Sequence, residues 1–237
     1  MYVRLNGQAR LGLALACLFL ACGSATAAPV TYFGDDNPRG TFTNSFAARD
    51  SFLNSLDSYG IDTLENYKSF VADPTLTFAP LSITATTQVS FIAPSNAVSG
   101  TKALLDQGPT GAGKASIDDV FSISTPVTAF GLFIANIGDT YENTLSLILE
   151  NTLLGPSATR TVVIGTFAPV RSQDNTIFFG VTDTLPFNKI SVHESEDYDG
   201  TLYDNITVGY VPEPSTFVLA TLGAAAVVLA ARRRLAT

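Results

Sequence analysis

Only two cysteines occur in the 237 residues, Cys17 and Cys22, and both fall within the first 27. The rest of the chain therefore has no thiol. That excludes a Cys/His zinc centre, a Cys–His catalytic pair and a disulfide framework from any folded body. Histidine is nearly as scarce. His193 is the single one, so a Ser-His-Asp triad would have to be built on it, and no Gly-x-Ser-x-Gly elbow presents a serine. The run Ile190-Ser191-Val192-His193-Glu194 reads as strand, which makes His193 a sheet-face or strand-end residue. Tryptophan is absent altogether. That removes the side chain that most often stacks on sugars and leaves tyrosines near expected loops, Tyr141, Tyr198 and Tyr203, as substitutes. Charge is sparse too: Asp, Glu, Lys and Arg together make 14% of the chain against 46% hydrophobic residues.

The apolar excess sits at the two ends. Arg4 and Arg10, the run from Leu11 to Ala21, and Ala25-Thr26-Ala27 read as a secretory signal peptide, with the cut expected after Ala27. Cys22, following Phe19-Leu20-Ala21, leaves a lipoprotein reading open beside it. At the other end, residues 216–231 are an uninterrupted apolar and small-residue run followed at once by Arg232, Arg233 and Arg234. As a helix this run would be about 24 Å long, near the lower limit for spanning a bilayer. The arginines would stay on the cytoplasmic side and the body would lie outside it. Five of the 13 basic residues flank these two runs, which leaves eight against all 21 acids between the ends. So acidic a body repels nucleic acid and anionic lipid and suits cations or neutral glycans, or simply stays soluble.

Val211-Pro212-Glu213-Pro214, the apolar run and the arginine cluster together resemble the PEP-CTERM sorting signal of Gram-negative bacteria. The resemblance covers the last 27 residues only. It implies recognition by an exosortase, a membrane-embedded cysteine protease that processes the tail, and an association with exopolysaccharide, biofilm or floc. Pro212 and Pro214 would keep the segment extended, as a protease cleft needs, with Glu213 as its charged handle.

Between the ends the sequence predicts a mainly β body. The divisions expected are a signal peptide over 1–27, an N-terminal segment over 28–60 with a helix packed on the sandwich, a β-sandwich over 61–210, and the sorting signal with its transmembrane helix over 211–237. Phe42, Phe46, Leu53, Leu56 and Tyr59 recur at helical spacing, which predicts a helix near 44–58, capped by Thr43 or Asn44 and stopped by Gly60. Strands are expected over 63–71, 82–92, 116–124, 127–136, 144–151, 160–167, 176–182, 187–194 and 203–210. They are rich in β-branched and aromatic residues and separated by Gly, Pro, Asn and Asp. Leu145, Leu147 and Leu149 alternate to one face. About nine short strands point to an antiparallel, jelly-roll-like sandwich.

Three segments carry a looser resemblance to jelly-roll and galactose-binding-like domains. They are Leu64-Glu65-Asn66-Tyr67 in a first strand, Ala129-Phe130-Gly131-Leu132 in the middle, and the stretch from Asp199-Gly200 to Asp204-Asn205-Ile206 at the end. By that analogy Glu65 and Asp204, with Asp199, are candidate ligands of a structural calcium ion. The dense acids Glu194, Glu196, Asp197, Asp199 and Asp204 could equally be a solvated hairpin. Gly108-Pro109-Thr110-Gly111-Ala112-Gly113-Lys114 matches the first part of a P-loop, but Ala115 stands where Ser or Thr must hold magnesium, so it reads as a glycine-rich loop. The leading expectation is a non-enzymatic, exosortase-sorted surface or matrix protein. It would be held in the inner membrane with its body in the periplasm, then released to the outer surface or the matrix. A calcium-assisted carbohydrate-binding module and a glycan-processing hydrolase are the alternatives.

Overall fold

A computed structural model describes residues 28–37, 42–88, 91–94, 98–106, 117–137, 142–155, 159–168, 175–195, 200–212 and 223. It contains eleven strands and one helix of several turns: β1 (Val30–Asp36), α1 (Thr43–Asn54), β2 (Ser58–Asp62), β3 (Thr75–Phe78), β4 (Ile83–Gln88), β5 (Phe91–Pro94), β6 (Lys102–Leu105), β7 (Ile117–Ala135), β8 (Asn143–Glu150), β9 (Arg160–Phe167), β10 (Thr176–Glu194) and β11 (Leu202–Tyr210). Every strand pairing is antiparallel.

The two 19-residue strands β7 and β10 organise the sandwich. Residues 129–135 of β7 run against 176–182 of β10, residues 117–122 run against 189–194, and the register shifts at Phe187 divide the halves. Such a bulge bends both strands and lets each serve two layers. One layer runs β9-β8-β10-β7-β4-β3 through the late half of β10 and the early half of β7. The other runs β1-β10-β7-β11 through the opposite halves. The far edge of β11 is taken by β6 near its start and β2 along its later half, with β5 beyond β6. Alternation drives the packing. Leu145, Leu147 and Leu149 of β8, Phe130, Leu132 and Ile134 of β7, and Ile190 and Val192 of β10 all lie buried in one core. Each large apolar side chain buried this way stabilises by roughly 1.5–3 kcal/mol.

The helix covers the outer face of the second layer. Phe52 is fully buried there with Ala129, Phe133 and Phe178. It can approach because Gly131 and Gly180 face each other in register beneath it. A Cβ on either glycine would lie 2.8 Å from a Phe52 ring atom.

Several local expectations are corrected. The helix ends at Asn54 rather than near 58, and Gly60 lies inside β2. Neither Thr43 nor Asn44 caps it. Phe42 holds the cap position with no side-chain cap bond, and Asp36 supplies the acceptors from β1. Its carboxylate takes the amides of Asn44 (3.1 Å) and Ser45 (2.8 Å) and the Ser45 hydroxyl (2.6 Å). Residues 63–71 form turns and bends instead of a strand, with Leu64 and Phe70 at positive φ. The expected pairs 116–124 with 127–136 and 176–182 with 187–194 prove to be single bent strands.

Candidate functional site

Two acidic centres form in the body. The first joins the residues singled out in the sequence. Glu65 sits in the turn after β2, and Asp204 lies in β11 beside Asn205, whose positive φ of 47° marks the register shift between Asp204 and Thr207. Both reach the turn that leads into β6. Oε1 of Glu65 accepts the amides of Thr101 and Lys102, each at 2.9 Å, and Oε2 accepts the Thr101 hydroxyl at 3.1 Å. Oδ2 of Asp204 accepts the Ser99 amide at 2.8 Å. Lys102 Nζ closes the clasp by donating to the carbonyls of Glu65 (2.7 Å) and Tyr67 (2.6 Å). Gly100, at φ 66°, lets the turn press on Glu65, for a Cβ there would lie 2.4 Å from the carboxyl group.

The two acids respond differently to this arrangement. Burial pushes Glu65 up, but the amides of Thr101 and Lys102 outweigh it and hold the carboxyl below the usual glutamate value. Burial dominates at Asp204, with the Glu65 charge adding to it, and pushes that carboxyl up to about 7 despite its amide donors. Asp199 lies outside the described residues.

Of the second centre only Glu194 was singled out from the sequence, as one of the dense acids, and it is buried in the core rather than in a solvated hairpin. Asp106 follows β6, Asp119 belongs to β7 and Glu194 ends β10, so no linear pattern joins them. Each offers a carboxylate oxygen within 4.8 Å of the others, and all three side chains are buried. Inward alternation puts Asp119 in line with Phe121, and Glu194 in line with Val192. Tyr203, fully buried on β11, places its hydroxyl 2.5 Å from Asp119 Oδ2 and 2.9 Å from Glu194 Oε1. The other Glu194 oxygen accepts from Asn143 Nδ2 (2.9 Å) and Thr201 Oγ1 (3.3 Å). Burial, helped by the Asp106 charge, pushes Glu194 up to about 7 against these hydrogen bonds. Burial and the three carboxylates also raise Tyr203 well above its ordinary value. Carboxylates this close can share either a cation or a proton.

His193 stands on the opposite face of β10 from Glu194. Its Nδ1 lies 2.6 Å from Asp118 Oδ1, its cross-strand partner on β7. The pair is exposed, and Ser146 is the register partner of His193 on β8. The glycine-rich run 108–114 lies outside the described residues, as do Ala27, Glu213, Pro214 and Arg232, Arg233 and Arg234. So does the expected membrane run 216–231, apart from Gly223. Among the described residues no helix is long and apolar enough to cross a membrane.

The folded body hands over to the tail without a linker. β11 ends at Tyr210, and the Val211 amide still donates to Thr128 Oγ1 of β7 at 2.9 Å. Residues 211–234 match the family model of the PEP-CTERM protein-sorting motif, so the chain carries the tail of an exported protein that is anchored and then processed. No curated protein sequence matches the chain. Among solved structures, it is similar to an arabinose-bound α-L-arabinofuranosidase (8% identity, TM-score 0.39, 65% of this chain and 26% of that one). It is also similar to a Clostridium thermocellum xylanase with its family 22 carbohydrate-binding module, complexed with xylohexaose (13% identity, TM-score 0.36, 65% and 28%). A third is a family 29 carbohydrate-binding module complexed with mannohexaose (10% identity, TM-score 0.31, 65% and 93%). The chain thus spans only about a quarter of the two enzymes' lengths.

Proposed function

We propose that this is an exosortase-sorted surface or matrix protein of a Gram-negative bacterium, acting beside exopolysaccharide without catalysis of its own. The signal peptide would be cut after Ala27. The run 216–231 would hold the chain in the inner membrane with the body in the periplasm, and exosortase would then release it at Val211-Pro212-Glu213-Pro214. The observation that carries this reading is the sorting motif over 211–234. Its position supports it as well. Among the described residues Val211 is the last one tied to the sandwich, so processing beyond it leaves every described strand in place. A chain lacking residues 211–237 is expected to leave the envelope fraction that the full chain enters. Arrival in the same fraction would overturn the sorting claim.

A second reading, a calcium-assisted carbohydrate-binding module, is favoured by the meeting of Glu65 and Asp204 on one turn. An aspartate whose burial pushes it up to about 7 gains from a cation beside it. Calcium at millimolar concentration should then raise the melting temperature, and Asp204→Asn should abolish the rise. A glycan-processing hydrolase ranks last. It needs two carboxylates facing each other across a cleft open to sugar, and the Asp106, Asp119 and Glu194 group is sealed in the core.

A further inference from the structure

We infer that Glu194 is kept in the folded body as a neutral carboxylic acid, the head of a buried proton chain that runs from Glu194 through the Tyr203 hydroxyl to the Asp119 carboxylate. The count of protons at Tyr203 requires it. A phenol has one proton to give. The Tyr203 oxygen nevertheless lies within hydrogen-bond distance of two carboxyl oxygens, Asp119 Oδ2 at 2.5 Å and Glu194 Oε1 at 2.9 Å. If both acids were ionised, one of these contacts would set two oxygen lone pairs against each other in a water-free core, which costs far more than it would at the surface.

The geometry says which acid carries the second proton. The shorter contact is typical of a hydroxyl donating to a charged carboxylate, so Asp119 is the anion that receives the tyrosine proton. Glu194 then donates from Oε1 to the tyrosine oxygen. Its other oxygen, Oε2, acts as the carbonyl and accepts from Asn143 Nδ2 and Thr201 Oγ1. Every contact around Glu194 is satisfied in this protonation state.

The surroundings agree. Among the described residues, the groups facing Glu194 are Asp119 from β7, Asp106 after β6, Tyr203 from β11, Thr201 before it and the uncharged Asn143 from β8, and none of these is a cation. His193, next along β10, turns to Asp118 on the other face. Burial raises the Glu194 value to about 7. That supports the assignment but is not needed for the count.

The chain ties β7, β10 and β11 together, and β8 joins them through Asn143; its proton is lost as the surroundings become alkaline. The exported body is therefore firmest under mildly acidic conditions. The sign follows from linkage. Glu194 binds its proton more tightly folded than unfolded, so stability falls as pH rises from the ordinary glutamate value through about 7.

The test uses the full-length chain in detergent. Infrared spectra at neutral pH should show the carbonyl stretch of a protonated carboxylic acid that is missing in Glu194→Gln. Glutamine keeps the shape, donates to Tyr203 and still accepts from Asn143, so this variant should fold. Between about pH 5 and pH 8 the wild-type melting temperature should fall by about 5–10 °C more than that of the variant. If Glu194→Gln does not fold, Tyr203→Phe provides the second arm, since loss of the acceptor should shift the acid band. No acid band in the wild type at neutral pH would overturn the inference. So would equal pH slopes, or calcium stabilisation at neutral pH that Glu194→Gln abolishes, which would put a cation where the proton belongs.

Discussion

The two acidic centres of this body use the same side chains to opposite ends. At the first, Glu65 is given backbone amides and held in its charged form, and the result is a clasp between a turn, β6 and β11. At the second, Glu194 is given other side chains, two of them acidic, and burial pushes it toward its neutral form. What a carboxylate does depends on whether backbone donors or other acids reach it first. Proximity of acids alone, which suggests a cation in both places, does not distinguish the two.

The largest effect expected from breaking this contrast is at the buried centre. Glu194→Ala removes the acceptor of Asn143 Nδ2 and the donor to the Tyr203 oxygen and leaves a cavity, and should cost about 3–4 kcal/mol in urea unfolding. Glu65→Ala removes an acceptor from amides near the surface that water can reach, and should cost about 1–2 kcal/mol. Equal losses would erase the difference. Next comes Gly100→Ala, which combines a positive φ with a clash against the Glu65 carboxyl. It should cost about 1–2 kcal/mol and leave the Glu194 acid band unchanged.

The effect that sharpens the contrast most is in pH. Stability should fall from mildly acidic to mildly alkaline pH because the native state binds the Glu194 proton more tightly than the unfolded state. Below about pH 4 it should fall again, because Glu65 and Asp36 are held below their ordinary values and must take up protons for which their amide donors leave no role. Melting curves across pH should therefore peak on the acid side of neutrality.

The two centres also differ in how far they could be read from the sequence. Glu65 and Asp204 stand in short local patterns, and the structure does bring them to one turn. The strand expected over 203–210 around Asp204 forms as β11, whereas the one expected over 63–71 around Glu65 does not, because Leu64 and Phe70 adopt positive φ in a β-rich composition. Asp106, Asp119 and Glu194 come from three separate elements, and only the sheet register makes them neighbours. Asp119 lies within the strand expected over 116–124 but outside every acidic pattern weighed there. One signal was available: an acid alternating in phase with Phe121 and Ile123 must point into the core. The strands β8, β9 and β11 were legible from alternation, whereas the short β3 and β6 exist because a partner strand completes their hydrogen bonds. The tail was the most legible part, since a sorting signal is read by its receptor as linear chain.

Intact mass spectrometry of the protein recovered from the outer surface or the matrix, after its release, tests the sorting tail most directly. The predicted mass is that of a chain beginning after Ala27 and ending near Val211-Pro212-Glu213-Pro214, without Arg232, Arg233 and Arg234. A recovered chain that still carries those three arginines would contradict it.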